Sequence, residues 1–422
     1  MTIFNQAKTL KETGLDEDLL FELVLKHLYD GGIQDIHLLS DRIKLAGTIV
    51  ESLLDKLRTD ARVEILSTQN NLKGYRYNLT ALGRSEAQIA ILKSAYIGPA
   101  PIDIEQYNQI VKVQSVFNEP VTKNHMVEVF RDIVMDEQLY DQLGPAVNSG
   151  RAILIYGHAG TGKTYICKKL AGLIDGGVYV PYAISVGKSI IQYFDPLIHR
   201  PIEKQKKESI AFELKVDPRL IFCDRPIAVS GGELSMDMLE LGYNPTTHIN
   251  QAPVQLKANN GMYIIDDLGR QKMPPQQLFN RWIVPMEEKQ DFLTLETGKQ
   301  FPVLFDTVLI FSTNLHPLEL ADEAFLRRLG YKIHFTPINK KEFTLIWNDI
   351  CRKQALDADD NILETVFELY KVTERILLPC QPRDLIGLAL DMAMFKGKPN
   401  RLTIENIQLA WDSYFINLNL RE

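Results

Sequence analysis

Between residues 151 and 174 the chain passes from a short apolar run into a glycine-rich octapeptide and then into a helical pattern. No other stretch restricts the fold as strongly. Ile153 to Tyr156 is bounded by Gly157 and reads as a buried strand. Gly157-His158-Ala159-Gly160-Thr161-Gly162-Lys163-Thr164 fits the spacing Gly, four residues, Gly-Lys-Ser/Thr. Tyr165 to Leu173 then reads as a helix. The order carries the physics. A strand aims the loop, Gly157, Gly160 and Gly162 let the backbone N–H groups of the loop, Thr161 included, curl around an anion, and a helix N-terminus adds its dipole. In such a loop Lys163 reaches the β- and γ-phosphates, and the Thr164 hydroxyl ligates Mg²⁺.

At 422 residues and 45% hydrophobic content the chain is long enough for two or three domains with sizeable cores. Its net charge of −7 gives no general attraction to nucleic acid or anionic lipid. Cys167, Cys223, Cys351 and Cys380 lie far apart, without zinc-ligand spacing or a disulfide framework, so a reducing cytoplasmic setting is expected. No apolar run approaches the ~18 residues of a membrane span. Met1 to Glu12 lacks an apolar signal core.

Residues 1–95 read as a small α+β domain. Leu19 to Leu28, Ile36 to Ile43 and Thr48 to Leu57 are apolar-periodic helices, the last with Ile49, Leu53 and Leu57 on one face. Val63 to Ile65 and Tyr75 to Tyr77 alternate like strands around a Gln69-Asn70-Asn71 tip. Thr80 is placed to cap a further helix. The pattern resembles a winged helix-turn-helix. The exposed side of Thr48 to Leu57 offers Glu51, Asp55 and Lys56, and the domain has 12 basic against 13 acidic residues. Arg58, Arg62, Lys73 and Arg76 could form a local patch near the wing. A protein-docking or ring-positioning role is therefore favoured over duplex binding, whose affinity comes largely from phosphate neutralisation. Gly98, Pro99 and Pro101 mark a linker over 96–120. Met126 to Leu143 reads as one helix.

Further motifs follow the phosphate loop in order. Val178 to Ala183 reads as a second strand. Gly261-Met262-Tyr263-Ile264-Ile265 ends in Asp266-Asp267, two acids at the carboxyl end of a buried strand, where ligands collect in open parallel sheets. Thr307 to Ser312 forms another strand ending in Thr313-Asn314. Ala324-Phe325-Leu326-Arg327-Arg328 and Leu378-Pro379-Cys380-Gln381-Pro382-Arg383-Asp384 complete the series. Together these motifs resemble AAA+ ATPases over about 121–422. The resemblance implies that Asp266 is the Walker B acid that holds Mg²⁺ and that Asp267 stands where the family usually carries a water-polarising Glu. It also implies that Asn314 is sensor 1, that Arg327 or Arg328 is an arginine finger, and that Arg383 is the sensor 2 arginine.

Lys257-Ala258-Asn259-Asn260-Gly261 resembles the approach to Walker B in bacterial enhancer-binding activators. Pro275 to Gln290 resembles their next helix and equally that of MoxR-type ATPases. Phe292 to Phe305, turning at Glu296 to Lys299, resembles the hairpin before sensor 1. These features suggest the branch with that hairpin and a helix-2 insert, for which residues 195–260 have room. The activators' Gly-Ala-Phe-Thr-Gly-Ala loop is missing. In the insert, His199 and the Ser230 to Glu233 stretch read as structural, and Lys204, Lys206 and Lys207 as a solvated face. Residues 339–422 read as an all-helical lid, with Thr403 capping the last helix.

The expected architecture is thus an α/β, P-loop parallel-sheet core over 121–338, with a helical lid after it and a winged-helix-like domain before it. The resemblance implies ATP and Mg²⁺ as ligands and a homo-oligomer, ring-shaped and hexamer-like, with sites at the interfaces. It further implies remodelling of a protein client. A DNA-associated regulator or loader and a slow nucleotide-gated scaffold are the competing functions.

Overall fold

The computed structural model describes residues 2–66, 75–203, 216–359, 361–397 and 401–415. The Gln69 to Asn71 tip, Lys73 and the run Lys204, Lys206 and Lys207 lie outside the described residues. The architecture is α/β with a helical C-terminal region. Its central sheet has five strands: β1 (Ile153–Gly157), β2 (Ile227–Ser230), β3 (Gly261–Ile265), β4 (Thr307–Thr313) and β5 (Tyr331–Phe335). Their spatial order is β2-β3-β4-β1-β5. β4 and β5 flank β1 and run parallel to it, with Ile310 and Tyr331 both opposite Ile153. Every residue of β3 and β4 is buried. That double-sided burial is why these segments are continuous apolar runs rather than alternating ones.

The chain forms two compact units, one of Met1–Pro120, Ile174–Ile264 and Gln271–Leu309, the other of Val121–Leu173, Ile265–Arg270 and Ile310–Glu422. In the first unit, helices Glu17–Gly31, Ile36–Ile43 and Gly47–Thr59 are followed by the hairpin Val63–Leu66 and Arg76–Leu79, joined at its edge by Gln34–Asp35. Leu23, Val24, Leu39, Val50 and Leu53 form its core. The Thr80 hydroxyl accepts from Gly83 N at 3.1 Å and starts helix Ala81–Lys93.

Past Pro99 the chain does not leave this unit. Ile102–Asp103 pairs with Ala183–Val186 at one edge of a second five-stranded sheet. Helix Ile104–Val113 buries Tyr107, Ile110 and Val111. Arg219 is fully buried, with its guanidinium on Asp217 at 2.8 Å and on the Pro101 carbonyl at 2.9 Å. A buried pair of this kind costs several kcal/mol to break by removing one partner.

The segment read as a second core strand folds otherwise. Gly177–Pro181 pairs antiparallel with Leu220–Asp224 in a ladder of its own, and Ala183 begins the next strand. The position beside β3 belongs to Ile227–Ser230. Alternation marks a strand, but the partner is chosen by contacts remote in sequence. The hairpin before β4 forms as read: Gln290–Thr294 pairs with Gln300–Leu304, and Leu295 N donates to Lys299 O across the turn.

In the second unit the single helix expected over Met126 to Leu143 is two, Lys123–Val129 and Glu137–Asn148. Ile133 N turns back onto Phe130 O, and the Asp136 carboxylate accepts from Gln138 N at 3.1 Å as a new N-cap. A capping carboxylate satisfies the N–H groups that a fresh helix start leaves open, so the interruption is locally encoded. The C-terminal region contains helices Lys340–Lys353, Ile362–Val372, Gln381–Phe395 and Ile404–Tyr414 around Phe343, Trp347, Val366, Leu385 and Trp411. Thr403 caps the last of them through Asn406 N. Among the described residues, no helix is long and apolar enough to cross a membrane.

Candidate functional site

The loop after β1 is shaped by its glycines. Gly157 has φ +143°, and a Cβ there would stand 2.2 Å from the carbonyl oxygen of Phe335 on β5. Gly160 has φ +84°, and its Cβ would meet Cys380 Sγ at 2.8 Å. Left-handed backbone and close neighbours both exclude side chains at these positions. Gly162 is the N-cap of helix Lys163–Leu170, so the loop ends on a helix N-terminus. The Thr161 hydroxyl donates to His158 O at 2.8 Å and braces the loop internally.

Lys163 is buried. Its Nζ donates to Gly157 O at 2.9 Å, His158 O at 2.7 Å and Asn314 Oδ1 at 2.7 Å. Burial pushes its pKa down, against the attraction of Asp266 and Asp267. Asn314, at the end of β4, faces both ways: its Nδ2 donates to Asp267 Oδ1 at 3.3 Å. Thr164 Oγ1 donates to Asp266 Oδ2 at 2.7 Å, and Asp267 N donates to Asp266 Oδ1 at 3.0 Å. The ends of β1, β3 and β4 thus bring Lys163, Thr164, Asp266, Asp267 and Asn314 into one cluster, as the motif order suggests.

Asp267 has φ +49°, a left-handed conformation uncommon for a residue with a side chain. Leu268 N then donates to Ser312 O at 2.8 Å, and Thr313 Oγ1 donates to Leu268 O at 2.8 Å. The turn at Asp267 is thereby tied to β4 and its carboxylate aimed at Asn314. Sequence pattern shows two acids after a strand; it does not show this turn.

Asp266 Oδ2 and Thr164 Oγ1 are hard oxygen donors side by side at the foot of the loop. That fits a Mg²⁺ held by one carboxylate, one hydroxyl and substrate phosphates. Among the described residues, no group of three or more His, Cys, Asp and Glu side chains could hold a metal by itself.

Beside the loop lies a cavity of about 500 Å³. Ile133 and Val134, from the break between the two helices, face it together with Ile166, Ile338, Pro379 and Arg383. Its lining mixes apolar side chains with Thr161, Asn339, Arg383 and the carboxylates Asp132, Asp136, Glu342 and Asp349, and its volume suits a small ligand of nucleotide size. Ile133 and Val134 escape sequence reading because they are exposed to the cavity by a helix break that the apolar periodicity runs straight through. The capping Asp136 is the available signal.

Arg383 lies at this cavity. Its Nε and Nη2 both meet Asp384 Oδ1 at 3.2 Å. Neither Arg327 nor Arg328 is among the hydrogen-bond partners of Lys163, Thr164 or Asn314. Arg327 is exposed just after helix Glu323–Leu326, whereas Arg328 Nη1 turns back to Ala324 O at 3.0 Å. Lys332 Nζ donates to Leu326 O and Leu329 O and fixes the turn that carries both arginines.

In the first unit the surface of helix Gly47–Thr59 is not strongly cationic. Lys56 pairs with Glu17, Arg58 with Asp55 at 3.5 Å, and Arg62 with Glu86 at 3.1 Å. Arg76 is exposed. His199 is structural: its Nδ1 accepts from Asp195 N at 3.0 Å, so its Nε2–H donates to Lys257 O at 2.9 Å. Ser230 Oγ bonds Tyr263 OH at 3.0 Å, and Asn259 and Asn260 hold Tyr107 and Asp306.

Comparison with known proteins gives three findings. Residues 339–413 match a family described as a domain of unknown function (DUF8689). No curated protein matches the chain. Similar solved structures include a point mutant of RuvB from Thermotoga maritima, with 12% identity and TM-score 0.36, covering 71% of this chain and 73% of that one. A second is NtrX from Brucella abortus, with 9% identity and TM-score 0.40, covering 80% and 61%. A third, titled the Thermotoga maritima RuvB Holliday junction branch migration motor, has 14% identity and TM-score 0.38, covering 68% and 72%. Likeness at this level fixes no function.

Proposed function

We propose that this chain is an AAA+ ATPase that binds ATP with Mg²⁺ at the Lys163 cluster, hydrolyses it, and acts as an oligomeric motor on a protein partner. The supporting observation is the hydrogen-bonded line Lys163–Asn314–Asp267 beside Thr164–Asp266, on the loop whose Thr161 and Gly162 line a nucleotide-sized cavity. Phosphoryl transfer needs positioning and charge neutralisation more than covalent chemistry by the protein. Lys163 and the helix N-terminus neutralise the phosphates. Bound Mg²⁺ would be held by Thr164 and Asp266 and would supply charge neutralisation for the phosphates. Asp267 orients the attacking water, with Asn314 holding its carboxylate. Arg383 addresses the phosphates from the lid.

Arg327 is the better candidate for a finger acting on a neighbouring copy, because it is exposed while Arg328 is bonded back to Ala324 of the preceding helix. A trans-acting arginine adds about 10³–10⁵ in rate in other phosphoryl-transfer enzymes. The hairpin Gln290–Thr294 and Gln300–Leu304 supports the pre-sensor-1 branch. Residues 1–95 serve as a winged-helix-like docking domain. The pairing of Lys56, Arg58 and Arg62 with carboxylates weakens the case for duplex binding.

The test is phosphate release from mixtures of Arg327→Ala and Lys163→Ala protein. Each variant alone should be nearly inactive. Mixing should restore turnover, because some interfaces would join an intact Lys163 to an intact Arg327. No recovery at any ratio contradicts the shared site. Turnover proportional to protein concentration, by a protein that stays monomeric with ATP and Mg²⁺, contradicts the oligomeric motor.

A further inference from the structure

Arg383 lies in the first turn of helix Gln381–Phe395, and its guanidinium lies on Asp384 Oδ1. An exposed pair between neighbours in sequence is ordinarily worth little. Here the carboxylate is itself held from another helix. Tyr414, in the last turn of Ile404–Tyr414, donates its hydroxyl to Asp384 Oδ2 at 3.2 Å, and the same hydroxyl stands 3.9 Å from Cys380 Sγ. Each carboxylate oxygen therefore has its own partner, and the carboxylate plane is fixed from two directions.

The turn before Arg383 is held in the same way. Gln381 is buried, and its Oε1 accepts from Tyr370 OH at 2.8 Å and from Leu378 N at 2.6 Å. This places Cys380 and Leu378 against Gly160, and Pro379 beside Gly162. Two tyrosines from separate helices thus brace the segment that faces the phosphate loop.

We infer that Tyr414 is a positioning residue for Arg383, acting through Asp384 to hold the guanidinium toward the γ-phosphate end of the nucleotide. The inference rests on the assignment of Arg383 to the nucleotide. Arg383 directs its Nε–H and one Nη2–H at Asp384, which leaves the two Nη1 N–H groups and the second Nη2 N–H to the ligand. Burial, with the Cys380 thiol and the Asp384 carboxylate adding to it, raises the Tyr414 pKa, so the phenol remains a proton donor through the neutral range.

The test is equilibrium titration of ATP and ADP, each with Mg²⁺, into wild type, Tyr414→Phe, Arg383→Ala and the double variant. Thermal unfolding is followed alongside. Tyr414→Phe keeps the ring and should weaken ATP about tenfold, the scale of a charge-linked hydrogen bond, while ADP changes by less than about twofold. The double variant should bind ATP no more weakly than Arg383→Ala, because residues acting through one contact are not additive. Asp384→Asn should behave like Tyr414→Phe.

Additive losses, or ATP and ADP weakened together, overturn the proposal and reduce Tyr414 to a packing residue. Unchanged ATP affinity in Arg383→Ala also overturns it, while leaving ATP binding at Lys163 intact. A wild-type chain that binds neither nucleotide overturns the nucleotide reading and this proposal together.

Discussion

The carboxamide of Asn314 accepts a hydrogen bond from Lys163 Nζ at 2.7 Å, across 151 residues of sequence. The same carboxamide donates to Asp267. In the proposed function, Asn314 thereby connects the residue that would meet the phosphates with the residue that would orient water. Asn314→Ala should lower the ATP turnover number by about 10²-fold, the usual scale for one lost catalytic hydrogen bond. ATP affinity should change little, because Lys163 keeps the two loop carbonyls as partners. Phosphate release and a nucleotide titration on the same preparation check both halves.

Asp267, the water-orienting residue of the proposed function, sits on a left-handed backbone. At φ +49° an Asn is well tolerated and a β-branched residue is not. Asp267→Asn should keep the fold and ATP binding while turnover falls steeply. Asp267→Val should lose turnover and also about 1–2 kcal/mol of stability, the cost of a left-handed residue with a branched side chain. Denaturant unfolding distinguishes the two. Equal stability would mean that the turn relaxes without cost.

His199 makes stability depend on pH in a defined window. Its ring stacks on Tyr193 and Phe194 at 5.4 and 5.6 Å, and burial lowers its pKa to about 4 from an ordinary 6.5. The Lys257 carbonyl and Asp195 oppose this, and the Lys257 charge favours it. Between those pH values the unfolded chain binds the proton and the folded chain does not. Stability is therefore complete above about pH 6.5 and falls as pH drops toward 4, by an amount on the order of 1–3 kcal/mol. Urea unfolding across pH should show this slope, and His199→Asn should flatten it.

Strands β1, β3 and β4 and the loop are readable because they depend on local signals: apolar runs, fixed glycine spacing, and acids at strand ends. Thr80 and Thr403 are readable as caps for the same reason. What sequence does not place is non-local. The partner of Gly177–Pro181 is Leu220–Asp224, and the strand beside β3 is Ile227–Ser230. Neither pairing leaves a periodic trace in either segment. Ile133 and Val134 at the cavity depend on a helix break whose cap, Asp136, is one acid among many. The left-handed turn at Asp267 comes from the ties of Leu268 to Ser312 and Thr313, which only the folded sheet brings together.

Beneath the expectations on turnover and nucleotide affinity lies the binding of a triphosphate by the Lys163 cluster. Equilibrium binding of ATP with Mg²⁺ to wild type and to Lys163→Ala, with thermal unfolding to confirm that both are folded, tests it most directly. Wild type should bind saturably, and the variant should lose about 10²-fold or more in affinity, since a buried, charge-assisted phosphate contact is removed. Equal affinity in two equally folded proteins would contradict it.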